Sequence, residues 1–515
     1  FVLPIEDSRE GIFETLKEAV EIQAFGGGTG FNFSNLRPRG MLINSTKGSA
    51  SGPLSFMEIY DVALGKTIAQ GGTRQGANMG ILNYNHGDVE QFIISKNEDG
   101  KFRNFNISIG CTEEFMKLAL DRKDYSLIDH KGRIIKTLNA GEIFDKIVEN
   151  AWMSGDPGII FLDRLERGNP TPLLGRIEST NPCGEQPLLP YEACNLGSIN
   201  LRKFVNGKTI DYEKLREVIF DCVHFLDNVI DVNKYPLQKI EEIVKKNRKI
   251  GLGVMGFADM LVALEVPYGS AESMKIAEEV MGFIDSEAEK ASIKLAETRG
   301  VFPSWRGSIY DSGSPYYKGR ELKLRNSART TIAPTGTISN IVGVEGGIEP
   351  MFSLAYKRKS VFDDKGNAKF EFIVVNTEFE RIFKEEGIYT PKLISEIADN
   401  GGRLNNIKKP LTIDEERWEE IKRIFVTSHD LDYKTHINIQ IAFQKHVNNA
   451  VSKTINLPYE ATQEDVKNAY IMSYENGLKG ITVYRDGCKK GQVLTTTKKE
   501  EVKQSGRPKL IGTTI

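Results

Sequence analysis

Long apolar runs are missing from this chain. Nowhere do about 18 apolar residues follow one another, which excludes an ordinary membrane-spanning helix. The amino end also lacks the basic segment and small-residue cleavage site of a signal peptide, so the expected location is the cytoplasm. Cysteine is scarce, with five residues in 515. An odd number without a C-x-x-C pair makes no disulfide framework, so each thiol is judged singly. The six histidines show no metal-ligand spacing, and no metal site is expected. Charge of one sign is not in excess: 68 basic and 70 acidic residues leave a net charge of -2. Without a basic stripe for polymeric nucleic acid, any nucleotide handled is a small molecule.

What is present is a globular composition, 40% hydrophobic and 27% charged, able to bury a large core. A length prior of roughly 150 residues per domain suggests three domains, whereas a large α/β barrel would make one. Phe1-Val2-Leu3-Pro4-Ile5 reads as an apolar strand and an odd place for a natural chain to begin, as in a fragment. Behind it, Asp7 and Ser8 are capping candidates for a helix carrying Ile12, Phe13, Leu16, Ala19, Val20 and Ile22 at helical spacing. Further helices are predicted over 140–152, 212–232, 270–297, 415–426 and 436–451, with β-rich runs at 104–109 and 481–484. Strands alternating with long helices predict an α/β fold. Residues 495–508 are polar and charged and read as a linker.

The most informative stretch is Asn181-Pro182-Cys183-Gly184-Glu185. Pro182 and Gly184 bracket Cys183 and place its thiol at a loop tip. In an extended loop, Asn181, Cys183 and Glu185 would point the same way and bring amide, sulfur and carboxylate together. A surface turn with an incidental cysteine is the plainer alternative. A second thiol, Cys194, follows eleven residues later, within ESTNPCGEQPLLPYEACNLGSINL.

That long run resembles the finger loop of ribonucleotide reductases, and most closely the class II enzymes, which use adenosylcobalamin. The resemblance implies a ten-stranded α/β barrel over 1–494, with 495–515 leading towards a further module. It implies that Cys183 is the thiyl radical that takes the 3'-hydrogen of the ribose. Glu185 would be the general base on the 3'-hydroxyl, and Asn181 a hydrogen-bonding partner of the substrate's hydroxyls. Cys194 would be one of two thiols that supply electrons by becoming a disulfide. In the family its partner lies one residue upstream of Phe1, so a chain beginning at Phe1 is expected to bind nucleotides without sustaining many turnovers.

Three more stretches share the resemblance. The glycine cluster at 26–30, followed by FNFSNLRPRG, would form with Asp7 and Arg37 an allosteric site for dNTP or ATP effectors, although Asp7 also reads as a plain cap. The loop GGTRQGANMG at 71–80 would connect effector and substrate, through Arg74 on the substrate and Gln75 and Asn78 on the effector side. Pro334-Thr335-Gly336-Thr337, after a β-prone run and at an expected helix start, would hold the substrate's phosphates. Oxygen-dependent class I enzymes relay a radical through two adjacent tyrosines. Here Tyr484 follows Val483, one tyrosine where two are needed, which speaks against class I; class I stays the nearer alternative reading and a non-catalytic nucleotide-binding homologue the more distant one. The family also implies a homodimer and a thioredoxin-type reductant.

Overall fold

The computed structural model describes residues 1–43, 47–67, 76–98, 100–362 and 368–488. Arg74, Gln75 and the 495–515 linker therefore lie outside the described residues. Two compact units emerge, one formed by Phe1–Phe352 with Val426–Lys490 and the other by Ser353–Phe425.

The first unit is built on strands that bury both faces. Ile250–Met255 is buried at every position, as expected of a strand covered on two sides by a parallel α/β arrangement. One sheet runs Val2–Leu3, Thr29–Asn32, Asn78–Asn83, Phe105–Cys111, Gly158–Phe161, Gly480–Arg485 and Thr454–Leu457. Its first five strands are mutually parallel, and Gly480–Arg485 joins them antiparallel. A second pair, Asn195–Asn200 beside Ile250–Met255, is parallel throughout. Residues 330–332 connect the two sheets, Thr330 bridging Leu252 and Ile332 bridging Val451. Seven strands, two more and this bridging segment make ten. At the other joint, Val2 exchanges backbone hydrogen bonds with Glu192 and Tyr191, just before Asn195–Asn200. The ring is thus two parallel half-barrels of opposite sense, and its ten-membered α/β architecture is the one the resemblance implied.

The helices follow the expected periodicity where packing agrees with it. Tyr212–Val232 matches the prediction, with Leu215, Ile219, Val223, Leu226 and Ile230 buried. The helix predicted over 436–451 is instead Tyr433–Gln444. Beyond it the chain leaves helical geometry because its polar groups are held elsewhere: Asn448 and Asn449 N–H donate to Thr330, and Lys479 Nζ donates to the carbonyls of both asparagines. Ser8 caps the first helix, Arg9–Ala24, accepting from Gly11 N–H at 3.0 Å. Asp7 is left for another role.

The second unit consists of the antiparallel pair Ala355–Phe362 and Ala368–Val375 with three helices, Thr377–Glu385, Pro391–Asp399 and Glu415–Ile424. Phe379, Phe383, Trp418 and Phe425 form its aromatic core. Among the described residues, no helix is long and apolar enough to cross a membrane.

Candidate active site

A hairpin inside the barrel carries the predicted cysteine. Ser179–Thr180 pairs antiparallel with Pro187–Leu188, and residues 181–186 form its tip. The tip is not the extended run assumed from the sequence. Gly184 N–H donates to Asn181 O, and Gly184 has φ of +85°, a left-handed conformation that glycine adopts at little cost. Convergence of the three residues therefore comes from a turn rather than from strand alternation. Asn181 Oδ1 accepts from Gln186 N–H at 3.0 Å and closes the turn.

The hairpin is held from several strands. Asn106 Nδ2 donates to Pro182 O at 2.8 Å, Ala450 N–H donates to Glu185 O at 2.9 Å, and Thr331 Oγ1 donates to the same oxygen at 2.9 Å. Approach on the other side requires glycine at position 30, where a Cβ would stand 1.7 Å from Thr180 O. Gly30→Ala is therefore expected to push the hairpin base away, costing about 1–3 kcal/mol as overpacking and up to roughly 10²-fold in activity through misplacement of Cys183. Thermal melting and turnover measured together check this; unchanged activity would show that the hairpin tip does not need this support.

Cys183 opens onto a cavity of about 290 Å³. Its accessibility is to that cavity, while the surrounding protein desolvates the sulfur: burial, with Glu185 as a lesser contributor, pushes the thiol up to about 12. At neutral pH the sulfur holds its hydrogen. Glu185 is 2% exposed, and burial raises its carboxyl despite an opposing hydrogen bond from Asn181. Glu185 Oε2 is buried without a partner. A buried acceptor left unsatisfied is costly unless a further group completes it. Cys194 is raised too, mainly by burial, and its Sγ donates to Asn195 O at 3.3 Å. The Phe1 amino group donates to Gly28 O at 3.0 Å, and burial pulls it down to about 6.

Pro334 lines the same cavity. Thr335, at φ +54°, precedes the helix Gly336–Val342, and its hydroxyl accepts from Gly347 N–H at 2.8 Å. Gly336 and Thr337 are exposed on the helix's first turn, where backbone N–H groups have no intrahelical acceptor. Sequence reasoning missed several wall residues, including Lys453, Glu349 and Lys479. Lys453 is buried and bonded to Glu349, and burial pulls Lys479 down to about 7. Buried lysines carry no signature in sequence, because only the folded wall desolvates them.

A second cavity, about 410 Å³, is lined by Asp7 and Arg37 together with Ser49, Ser51 and Phe56. Arg37 Nε and Nη2 each lie 2.8 Å from Asp7 Oδ2, and Arg37 N–H donates to Asp7 Oδ1. His130 Nε2 lies 3.7 Å from Asp7 Oδ2, a neighbour not foreseen. Asn78 is placed differently from its expectation. It is 1% exposed, its Oδ1 accepts from Gln23 and Thr29, and its Nδ2 donates to Asn104 O. Its amide supports the barrel wall through these bonds.

The family description "Ribonucleotide reductase, barrel domain" matches residues 1–484. The chain is 51% identical over 512 residues to a protein of Thermoplasma acidophilum named vitamin B12-dependent ribonucleoside-diphosphate reductase, covering 98% of this chain and 64% of that protein. A Mycobacterium tuberculosis protein of the same name is 44% identical over 498 residues, 96% of this chain and 68% of the relative. The chain thus spans about two thirds of these relatives, slightly less for the first. In fold, it is similar to the class Id ribonucleotide reductase alpha subunit of Actinobacillus ureae, with a TM-score of 0.75 at 22% identity, covering 94% of this chain and 83% of that one. Together with the ten-strand ring and the cysteine hairpin inside it, these matches show that the chain belongs to the ribonucleotide reductase family.

Proposed function

We propose that this chain reduces ribonucleoside diphosphates to 2'-deoxyribonucleotides by a thiyl-radical reaction initiated with adenosylcobalamin. The observation that carries this reading is the hairpin tip: an un-ionised thiol open to a cavity, beside a buried carboxylate with an unpartnered oxygen. Relatives named vitamin B12-dependent ribonucleoside-diphosphate reductase support both the cofactor and the diphosphate substrate.

The donor set fits such a cofactor. Cys183 is reachable from the cavity, whose wall includes Val483 and Tyr484. A tyrosine relay would need a second ring at position 483, where a buried valine stands. Cys183, Val483 and Tyr484 would meet the adenosyl group, which supplies a carbon-centred radical when bound. The chain's own residues do the rest. Cys183 presents its S–H, then takes the 3'-hydrogen of the ribose once oxidised. Glu185 receives the 3'-hydroxyl proton, which helps the 2'-hydroxyl leave as water. Asn181 braces Glu185, and Cys194 with a second thiol supplies two electrons. Pro334, Thr335, Gly336 and Thr337 would meet the phosphates, with Arg74 on the substrate side. Deoxynucleotide formation that requires adenosylcobalamin tests the proposal; formation dependent instead on a separate radical-generating subunit would favour the class I reading.

The second cavity is read as the effector site for dNTPs or ATP, with Asp7 on the sugar, Arg37 on the phosphates and Gln75 on the connecting loop. Asp7→Ala or Arg37→Ala is expected to weaken effector binding roughly tenfold or more, the usual effect of losing a charge-assisted hydrogen bond, while basal reduction continues. Equilibrium binding of labelled dNTP checks this, and unchanged affinity in both variants would leave the pair a purely structural role. A homodimer is supported by exposed Phe13, Ile59 and Val62 on the helices flanking this cavity. A thioredoxin-type reductant and a cytoplasmic location complete the reading.

A further inference from the structure

Beside Cys194 lies a charged cluster that the reaction as described does not use. Asn195 and Ile250 are the first paired residues of two parallel strands. Cys194 and Lys249, one step earlier, therefore enter the sheet side by side, at the usual strand separation of about 5 Å. Lys249 is only 2% exposed, and its Nζ donates to Glu192 Oε2 at 2.8 Å and to Pro187 O at 3.2 Å. Glu192 is fully buried and held in turn by Asn247 Nδ2 at 2.7 Å and Leu189 N–H at 2.9 Å. A buried ion pair with every oxygen engaged is a rigid object, and this one braces the second strand of the hairpin through Pro187 O and Leu189 N–H.

We propose that Lys249 is a positioning residue for Cys194: an ammonium fixed by Glu192 that keeps positive charge beside the sulfur as its proton leaves. This rests on the reading of Cys194 as a reducing thiol. In that reaction two thiols form one S–S bond and give up two protons and two electrons. The ribonucleotide takes both, its 2'-hydroxyl leaving as water and C2' gaining a hydrogen. Cys194 cannot pass through an anionic state cheaply in so buried a place unless a cation stands near. The titratable groups facing it are Lys249, Glu192, the Phe1 amino group and Glu185, and among them Lys249 is the cation that enters the sheet beside it. Lys249 favours the thiolate and Glu192 opposes it, so the two residues have opposite signs of effect.

The test is the pH profile of Cys194 alkylation by iodoacetamide in the intact chain, followed by peptide mass spectrometry, with Cys183 as internal control. Lys249→Met should slow modification of Cys194, by roughly tenfold for each unit that the thiol rises. Glu192→Gln should speed it, Lys249→Arg should stay near wild type, and the Cys183 rate should not change. If Lys249→Met does not fold, Glu192→Gln and Lys249→Arg still decide the matter. Slower or unchanged modification in Glu192→Gln, or a shift of Cys194 and Cys183 together, would overturn the proposal in favour of a structural pair. Because the assay needs no turnover, its result stands apart from whether the chain is a reductase.

Discussion

Cys183→Ala leaves a chain that binds nucleotide at both cavities and forms no detectable deoxynucleotide. Burial pushes the thiol up to about 12, so at neutral pH it is S–H and not thiolate. Such a group is a poor nucleophile and metal ligand but a competent donor of a hydrogen atom. Alanine removes that atom while leaving the hairpin's supports, Asn106 on Pro182 and Thr331 with Ala450 on Glu185, untouched. Cys183→Ser should be equally inactive, since a hydroxyl holds its hydrogen more strongly than a thiol. Product analysis and nucleotide binding, measured on both variants, check this. Turnover near wild type in either would show that another thiol carries the reaction.

Glu185→Gln separates chemistry from stability. As the proposed proton acceptor, Glu185 should contribute a factor typical of general base catalysis, so the amide is expected to lose roughly 10²- to 10⁴-fold in turnover. Its stability effect has the opposite sign. Burial holds the folded carboxyl above its ordinary value of 4.5. Between that value and the raised one, the folded chain keeps a proton that the unfolded chain has lost, so stability falls as pH rises through this window. Glutamine removes the dependence. The variant should therefore melt no lower than wild type at neutral pH, and the difference should shrink towards pH 4. Such a trade of stability for function is expected where an active site stores an unsatisfied group. A variant that is both active and less stable at neutral pH would contradict the assignment.

Local chemistry was legible in the sequence where a short stretch carries it whole. The 212–232 helix follows from its own periodicity, and the cysteine hairpin from proline and glycine around a thiol. Elsewhere tertiary contacts decided. Residues 445–451 have helical spacing, yet Lys479 and Thr330 claim their polar groups, and the chain turns into the barrel wall. Asn78 looked like a loop amide, but its place at the start of a central strand gives it three partners, Gln23, Thr29 and Asn104 O. Asp7 read as an effector ligand, with a plain cap as the competing reading; Ser8 takes the cap and leaves Asp7 to Arg37. The Lys249–Glu192 pair had no sequence signal, because nothing in the local spacing of residues 57 apart reports that they meet.

Cys183, once oxidised, is proposed to take the 3'-hydrogen of a ribonucleotide. The most direct test is release of tritium from a 3'-tritiated ribonucleoside diphosphate mixed with the chain, effector and adenosylcobalamin, which needs no second thiol. Tritium release should depend on adenosylcobalamin and disappear in Cys183→Ala. No release from the wild-type chain under these conditions, or release undiminished in Cys183→Ala, would contradict it.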